Sequence, residues 1–370
     1  SSAAPDPERP EYIPPTELDF EPTDNDTYDI TVSVGEELDE TTVVIPVEGE
    51  NFTPEIAIDN DDAAAGNVTM RASIKDLGLT DARSYEWYIA PPLDAAGNLD
   101  PIALPTESGA LAAGEQPPTI TFTNPNDEIV VAFRSTDDDG GVGTSVVRFF
   151  LLDDAPNQLD VMMAATGEID VVFEPSEPNE RTTRIPGSSQ ILIAARGGDD
   201  RISVAPSVLA RLRIDAGAGD DVVTTASASD TIIGGPGADS IMSGGGDDVL
   251  ISDEGDDLLD GGIGNDEYQF FSFSDKTLID GGGEDTLNFE QVAPGTGAFD
   301  GISIDLSLDD GSQQQVHSTG TIKLSGSFEN VTGSAFSDQL TGNAAANELF
   351  GGAGDDSITS SGGGDTLDGG

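Results

Sequence analysis

The chain has 370 residues, with 71 acidic against 14 basic side chains, a formal charge of −57 and no cysteine. So large an acidic excess opposes compaction by self-repulsion unless cations neutralise it, and it excludes nucleic acid and anionic membranes as direct partners, since both need basic surface. Without cysteine there are no disulfides and no thiolate metal sites; with a lone histidine, His317, any metal must take oxygen ligands, which points to calcium before magnesium.

The length predicts two or three domains. No apolar run is long enough to span a bilayer. The opening SSAAPDPERP has no charged and apolar leader, so the numbering is expected to start after a removed signal or inside a longer protein. Residues 1–50 read as an extended linker rich in Pro, Asp, Glu and Ser, with two alternating segments, TYDITVSV and TTVVIPV. These make a short hairpin or the remnant of an upstream domain.

From 51 to 155 the runs EIAID, NVTMRASI, SYEWYIA, TITFT, EIVVAFRST and TSVVRFFLL, separated by turn residues, predict a β-sandwich with Trp87 in its core. The last two runs are joined by TDDDGGVGTS, where Asp137, Asp138 and Asp139 either serve turn geometry or hold a calcium ion. A tryptophan-centred strand, a further strand, an Asp-Asp-Gly turn and a final strand resemble PKD-type immunoglobulin-like domains. Residues 156–195 contain DVMMAA and EIDVVF, which look like strands, and the loop EPSEPNE. They begin the next unit or bridge to it.

From Ala216 the sequence runs in blocks of nine: AGAGDDVVT, TASASDTII, GGPGADSIM, SGGGDDVLI, SDEGDDLLD, GGIGNDEYQ. Aspartate recurs at the sixth position as Asp221, Asp230, Asp239, Asp248, Asp257 and Asp266. Two positions after each comes Val223, Ile232, Ile241, Leu250, Leu259 or Tyr268. A second array over 333–370 places Asp338, Asn347, Asp356 and Asp365 ahead of Leu340, Leu349, Ile358 and Leu367, and isolated copies surround Asp200 and Asp285. From Ile214 onward there are thirty acidic residues, and the only basic ones are Lys276 and Lys323. That half cannot be held by internal salt bridges. Glycine lets the backbone turn with φ > 0 and lets carbonyls approach an ion, the aspartate supplies a charged oxygen, and the apolar residue points inward from a short strand.

This nonapeptide resembles the repeats-in-toxin (RTX) family, whose unit is Gly-Gly-x-Gly-x-Asp-x-apolar-x. The resemblance covers 196–370. GGPGADSIM, GGIGNDEYQ and GGAGDDSIT match fully, while TASASDTII, SDEGDDLLD and GNAAANELF keep only part of the pattern. It implies a right-handed parallel β-roll in which two nonapeptides form one coil and each calcium ion sits between stacked turns. Asp221, Asp239 and Asp257 then line one edge, and Asp230, Asp248 and Asp266 the other. The expected calcium ligands are Asp200, Asp221, Asp230, Asp239, Asp248, Asp257, Asp266, Asp285, Asp338, Asn347, Asp356 and Asp365, completed by backbone carbonyls. The expected fold class is all-β, an immunoglobulin-like β-sandwich followed by this β-roll, with the repeats disordered when calcium is absent.

Between the two arrays, which span 216–269 and 333–370, the stretches 270–280 and 289–331 break the period. Phe270, Phe271 and Phe273 are expected to cover coil ends as core, GISIDLSLDD and GTIKLSGSFENVTGSAF to be strand-rich lead-in, and His317 to lie in an exposed loop. No HExxH or GxSxG element is present, and the acidic pairs belong to repeats, so no enzyme is expected. The reading is a secreted or cell-surface structural protein, a calcium-hardened rod serving as adhesin, matrix or filament component. The sequence stops at Asp-Gly-Gly, the opening of a further repeat, so either the natural protein is expected to continue or that end to dock head to tail onto another copy. The alternative is a calcium-dependent secretion and folding module of a larger exported hydrolase or toxin.

Overall fold

The computed structural model describes residues 28–33, 40–45, 55–59, 67–73, 83–91, 99, 103–111, 120–123, 127–137, 142–152, 155–174, 180–187, 190–272, 274–293 and 301–370. The linker over 1–27, the turn residues Asp138 and Asp139, and Phe273 lie outside these. Among the described residues every regular element is a β-strand.

The strands β1 (Tyr28–Ser33) and β2 (Glu40–Ile45) form an antiparallel hairpin. Seven more follow: β3 (Glu55–Asp59), β4 (Asn67–Ser73), β5 (Arg83–Ile89), β6 (Glu107–Leu111), β7 (Ile120–Thr123), β8 (Asp127–Asp137) and β9 (Val142–Leu151). They pair antiparallel in two groups, β3-β4-β7 and β6-β5-β8-β9. Trp87 is fully buried and meets Phe133 edge-on, with ring centroids 4.8 Å apart. An antiparallel meander comes next, β10 (Gln158–Met163), β11 (Ile169–Phe173) and β12 (Arg181–Ile185).

The chain then coils. β13 (Gln190–Ala194), β14 (Arg201–Val204), β15 (Leu212–Asp215), β16 (Val222–Thr224), β17 (Thr231–Ile233), β18 (Ser240–Met242), β19 (Val249–Ser252), β20 (Leu258–Gly262), β21 (Glu267–Phe270), β22 (Lys276–Asp280) and β23 (Thr286–Asn288) alternate between two sheets. As far as β21, each pairs in parallel with the strand two ahead of it. One sheet carries Ile202, Val223, Ile241, Leu259 and Leu278 in register, and the other Ile193, Ile214, Ile232, Leu250, Tyr268 and Leu287. All of these side chains are buried in one continuous apolar column. They face inward because alternate residues of a strand point to opposite sides, so a three-residue strand buries its middle one. Tyr268 keeps its hydroxyl satisfied in that column, accepting the Gly261 amide and donating to the Ile279 carbonyl.

An insertion interrupts the coil with β24 (Ser303–Asp305), β25 (Asp310–His317) and β26 (Gly320–Ser325). β26 extends the first sheet beyond β22, and β25 closes its edge in antiparallel fashion. Coiling resumes with β27 (Asn330–Thr332), β28 (Gln339–Thr341), β29 (Glu348–Phe350), β30 (Ser357–Thr359) and β31 (Thr366–Asp368). β27, β29 and β31 continue the second sheet, whereas β28 and β30 stack on β24 as a new three-stranded sheet.

Both roll sheets also run upstream. β13 pairs in parallel with β9, and β14 with β10. The stretch 156–195 thus supplies the opening strands of both sheets. Two sequence expectations need correction. His317 is buried at the end of β25, with Nδ1 2.8 Å from the Thr319 hydroxyl, because the insertion folds back as a hairpin rather than a loop. Of the phenylalanine cluster, Phe270 is buried at the end of β21 and stacks on Phe289, but Phe271, in the bend that follows the strand, is 45% exposed.

Candidate metal centre

Each turn of the coil offers its sixth-position side chain to the turn stacked before it. On one edge, carboxylate Oδ1 atoms of Asp200, Asp221, Asp239 and Asp257 accept the amides of Asn157, Asp200, Asp221 and Asp239 at 2.6, 2.7, 2.9 and 3.0 Å. On the opposite edge, Asp230, Asp248, Asp266 and Asp285 accept from Leu212, Asp230, Asp248 and Asp266 at 2.8, 2.7, 2.9 and 2.8 Å. A third ladder stands beside the new sheet, where Asp338 and Asp356 accept from Ile302 and Asp338 at 2.5 and 2.9 Å.

These bonds fix one oxygen of each carboxylate. The other is left over. Oδ2 of Asp221, Asp230, Asp239, Asp248, Asp266, Asp285 and Asp356 is buried and receives no hydrogen bond. An ionised oxygen in that position is costly. Burial accordingly pushes the carboxyls of Asp221, Asp230 and Asp248 up to about 6 and those of Asp239 and Asp266 up to about 7. Burial raises Asp285 as well, helped by the neighbouring Asp280. Opposing carboxylates add to the strain, Asp221 and Asp257 acting on Asp239.

Glycine keeps space around these oxygens. A Cβ on Gly234, Gly261 or Gly351 would collide with Oδ2 of Asp239, Asp266 or Asp356 respectively. Gly237, with φ of +146°, lies so close beneath the Gly219 carbonyl oxygen that no side chain fits between the stacked turns. No three acidic or histidine side chains converge among the described residues. The side-chain donor left over at each of these turns is therefore one carboxylate oxygen, to which backbone carbonyls of the glycine-rich turns would add. That all-oxygen set with its single charge per turn fits calcium, which takes carboxylate and carbonyl oxygens in flexible geometry.

Four of the predicted ligands sit differently. Asp257 Oδ2 is already engaged, accepting the Ser252 hydroxyl at 2.5 Å and the Lys276 ammonium at 2.7 Å. Asp338 Oδ2 accepts the Ser334 amide at 2.6 Å. The Asn347 side-chain amide is engaged on both sides, its oxygen accepting the Asn343 amide of its own turn at 3.0 Å and its nitrogen donating to the Glu329 carbonyl of the turn stacked before at 2.9 Å. Asp365 is partly exposed and accepts the Asn347 amide at 3.1 Å. The turns of Asp257, Asp338 and Asn347 all depart from the full repeat.

Two members of the ladders escape a search for aspartate. Glu329 takes the ladder place of the coil through Val331, its Oε2 accepting the Asp285 amide at 3.0 Å. Lys276 takes the place below Asp257. Each stands two residues before an inward apolar residue, Val331 or Leu278, and that offset is the signal which locates them. The doubled aspartates have a separate use. At the fifth position Asp220 and Asp247 accept the amides of Ala238 and Asn265, both at 2.9 Å, forming an exposed second ladder outside the buried one.

A search of curated proteins found no match for the chain. Residues 213–241, 233–268 and 332–370 match the family model of the RTX calcium-binding nonapeptide repeat (four copies), so the rungs from Asp221 to Asp266 and from Asp338 to Asp365 lie in calcium-binding repeats.

Proposed function

We propose that the chain is an exported, calcium-binding structural protein whose roll folds on meeting extracellular calcium and extends an immunoglobulin-like, PKD-type sandwich into one stiff rod at the cell surface or in the surrounding matrix. The observation carrying this reading is the continuity of the sheets. β9 pairs with β8 on one side and with β13 on the other, so a single sheet of thirteen strands runs from the Trp87 region to the last repeat. The two antiparallel groups β3-β4-β7 and β6-β5-β8-β9, with Trp87 buried between strands, support the sandwich. A formal charge of −57 supports export in an unfolded state, since ladder carboxylates repel one another where calcium is scarce and are neutralised where it is millimolar.

The test is small-angle scattering of the full chain, with calcium and with chelator. Nine strands of the second sheet, β13 to β31, spaced ~4.8 Å apart, span about 38 Å of roll. Calcium is expected to convert an expanded chain into a rod at least that long, with fixed rather than averaged dimensions. A roll that forms in calcium while the upstream strands tumble independently would sink the rod and leave calcium binding standing. Mass that grows over the same calcium range would extend the reading to head-to-tail assembly of copies.

A further inference from the structure

We propose that the ammonium group of Lys276 is a built-in counter-cation, occupying at one turn of the roll the seat that calcium takes at the others. The inference rests on the calcium reading of the ladders and concerns the turn at 252–257. Among the sixth-position aspartates of the first array, Asp257 alone has its Oδ2 engaged, and the partner is a cation. Lys276 Nζ donates to the carbonyls of Asp253 and Gly255 at 2.6 and 2.7 Å, to Asp257 Oδ2 at 2.7 Å and to the Ser274 hydroxyl at 3.1 Å. Two turn carbonyls and the leftover carboxylate oxygen make the donor set expected of a metal seat, here filled from the chain itself.

Lys276 is only 1% exposed, so the charge is held away from water and matched on the spot. The turn around it has changed accordingly. Its first two positions hold Ser252 and Asp253. Elsewhere Gly235, Gly244 and Gly262 occupy the second position with φ of 89°, 92° and 82°. Ser252 fills the space beside the carboxylate with its hydroxyl, which donates to the same Oδ2. Lys276 also stands in the ladder register itself, below Asp257, and the next strand places apolar Ile322 opposite it. The first edge ladder thus ends in a permanent cation where the repeat gives way to the insertion.

The experiment counts calcium bound to the full chain, wild type against Lys276→Asp, by metal analysis after removal of free ion. Restoring aspartate to the ladder is expected to add one calcium per chain. An unchanged count in a variant that folds in calcium overturns the proposal. If Lys276→Asp does not fold, amine acetylation of the calcium-loaded wild type decides. Exposed Lys323 reacts, Lys276 is expected to be protected, and equal reactivity overturns the proposal. Wild-type chain that binds no calcium would instead sink the calcium reading as a whole, which keeps the two failures apart.

Discussion

At the scale of single residues, the two oxygens of a ladder aspartate have different tasks. Asp239 Oδ1 orders the neighbouring turn through the Asp221 amide, while Oδ2 is buried and receives no hydrogen bond. Asp239→Asn keeps the first and removes the charge from the second. It is expected to raise the calcium midpoint of folding about tenfold, equivalent to ~1.4 kcal/mol, as followed by circular dichroism. The exposed fifth-position Asp220→Asn is expected to move that midpoint far less. Acidity gives an independent check. Folded, metal-free carboxyls are raised to about 6 to 7 at Asp221, Asp230, Asp239, Asp248 and Asp266. An unfolded aspartate titrates near ~3.9. A raised acid contributes stability that is complete below the unfolded value and is lost as pH rises through the folded one. Chelated protein should therefore gain β-structure as pH falls from neutrality towards about 4, whereas the calcium-loaded form should need more calcium, because protons compete for the same oxygens. A calcium midpoint that does not change with pH across this range would contradict the ladder's role.

At the scale of elements, stability comes from stacking rather than from any one strand. Each coil buries little beyond its paired inward residues, so a gap in the column is felt by the coils above and below. Leu250 packs between Ile232 and Tyr268 and is fully buried. Leu250→Ala is expected to cost ~3 kcal/mol in calcium, read as a lowered unfolding midpoint in urea. Gly237→Val is expected to prevent stacking of its turn on Gly219, abolishing order in the first array at any calcium concentration. The coil itself is legible in the sequence, because eighteen-residue spacing puts Val223, Ile241 and Leu259 in one register. The insertion is not. There the period stretches from Leu287 to Val331, and only the pairing of β23 with β27 shows that the column continues. Glu329 and Lys276 are hidden for a different reason: the chemistry at their position changes while the geometry persists. The upstream strands β10 to β12 have apolar runs too short to show from sequence whether they open the roll or bridge to it; the structure answers through the β10–β14 pairing.

At the scale of the whole molecule, charge and fold are one problem. A formal charge of −57 and carboxylates stacked one per turn make the metal-free roll self-repelling, while its apolar column is only one or two residues wide per strand. The sequence signals the need for cations through composition alone, and the ladders show where the need is concentrated. Sheet continuity does not follow from composition or period. The joining of β9 to β13 depends on an edge that only the folded chain presents. The measurement that tests the account most directly is far-UV circular dichroism of the full chain during a calcium titration, with chelator reversal. The account predicts a cooperative passage from disorder to β-structure in roughly the 0.1–1 mM range of extracellular calcium modules, undone by chelator. A spectrum indifferent to calcium would contradict it, for the aspartate ladders would then not be metal sites.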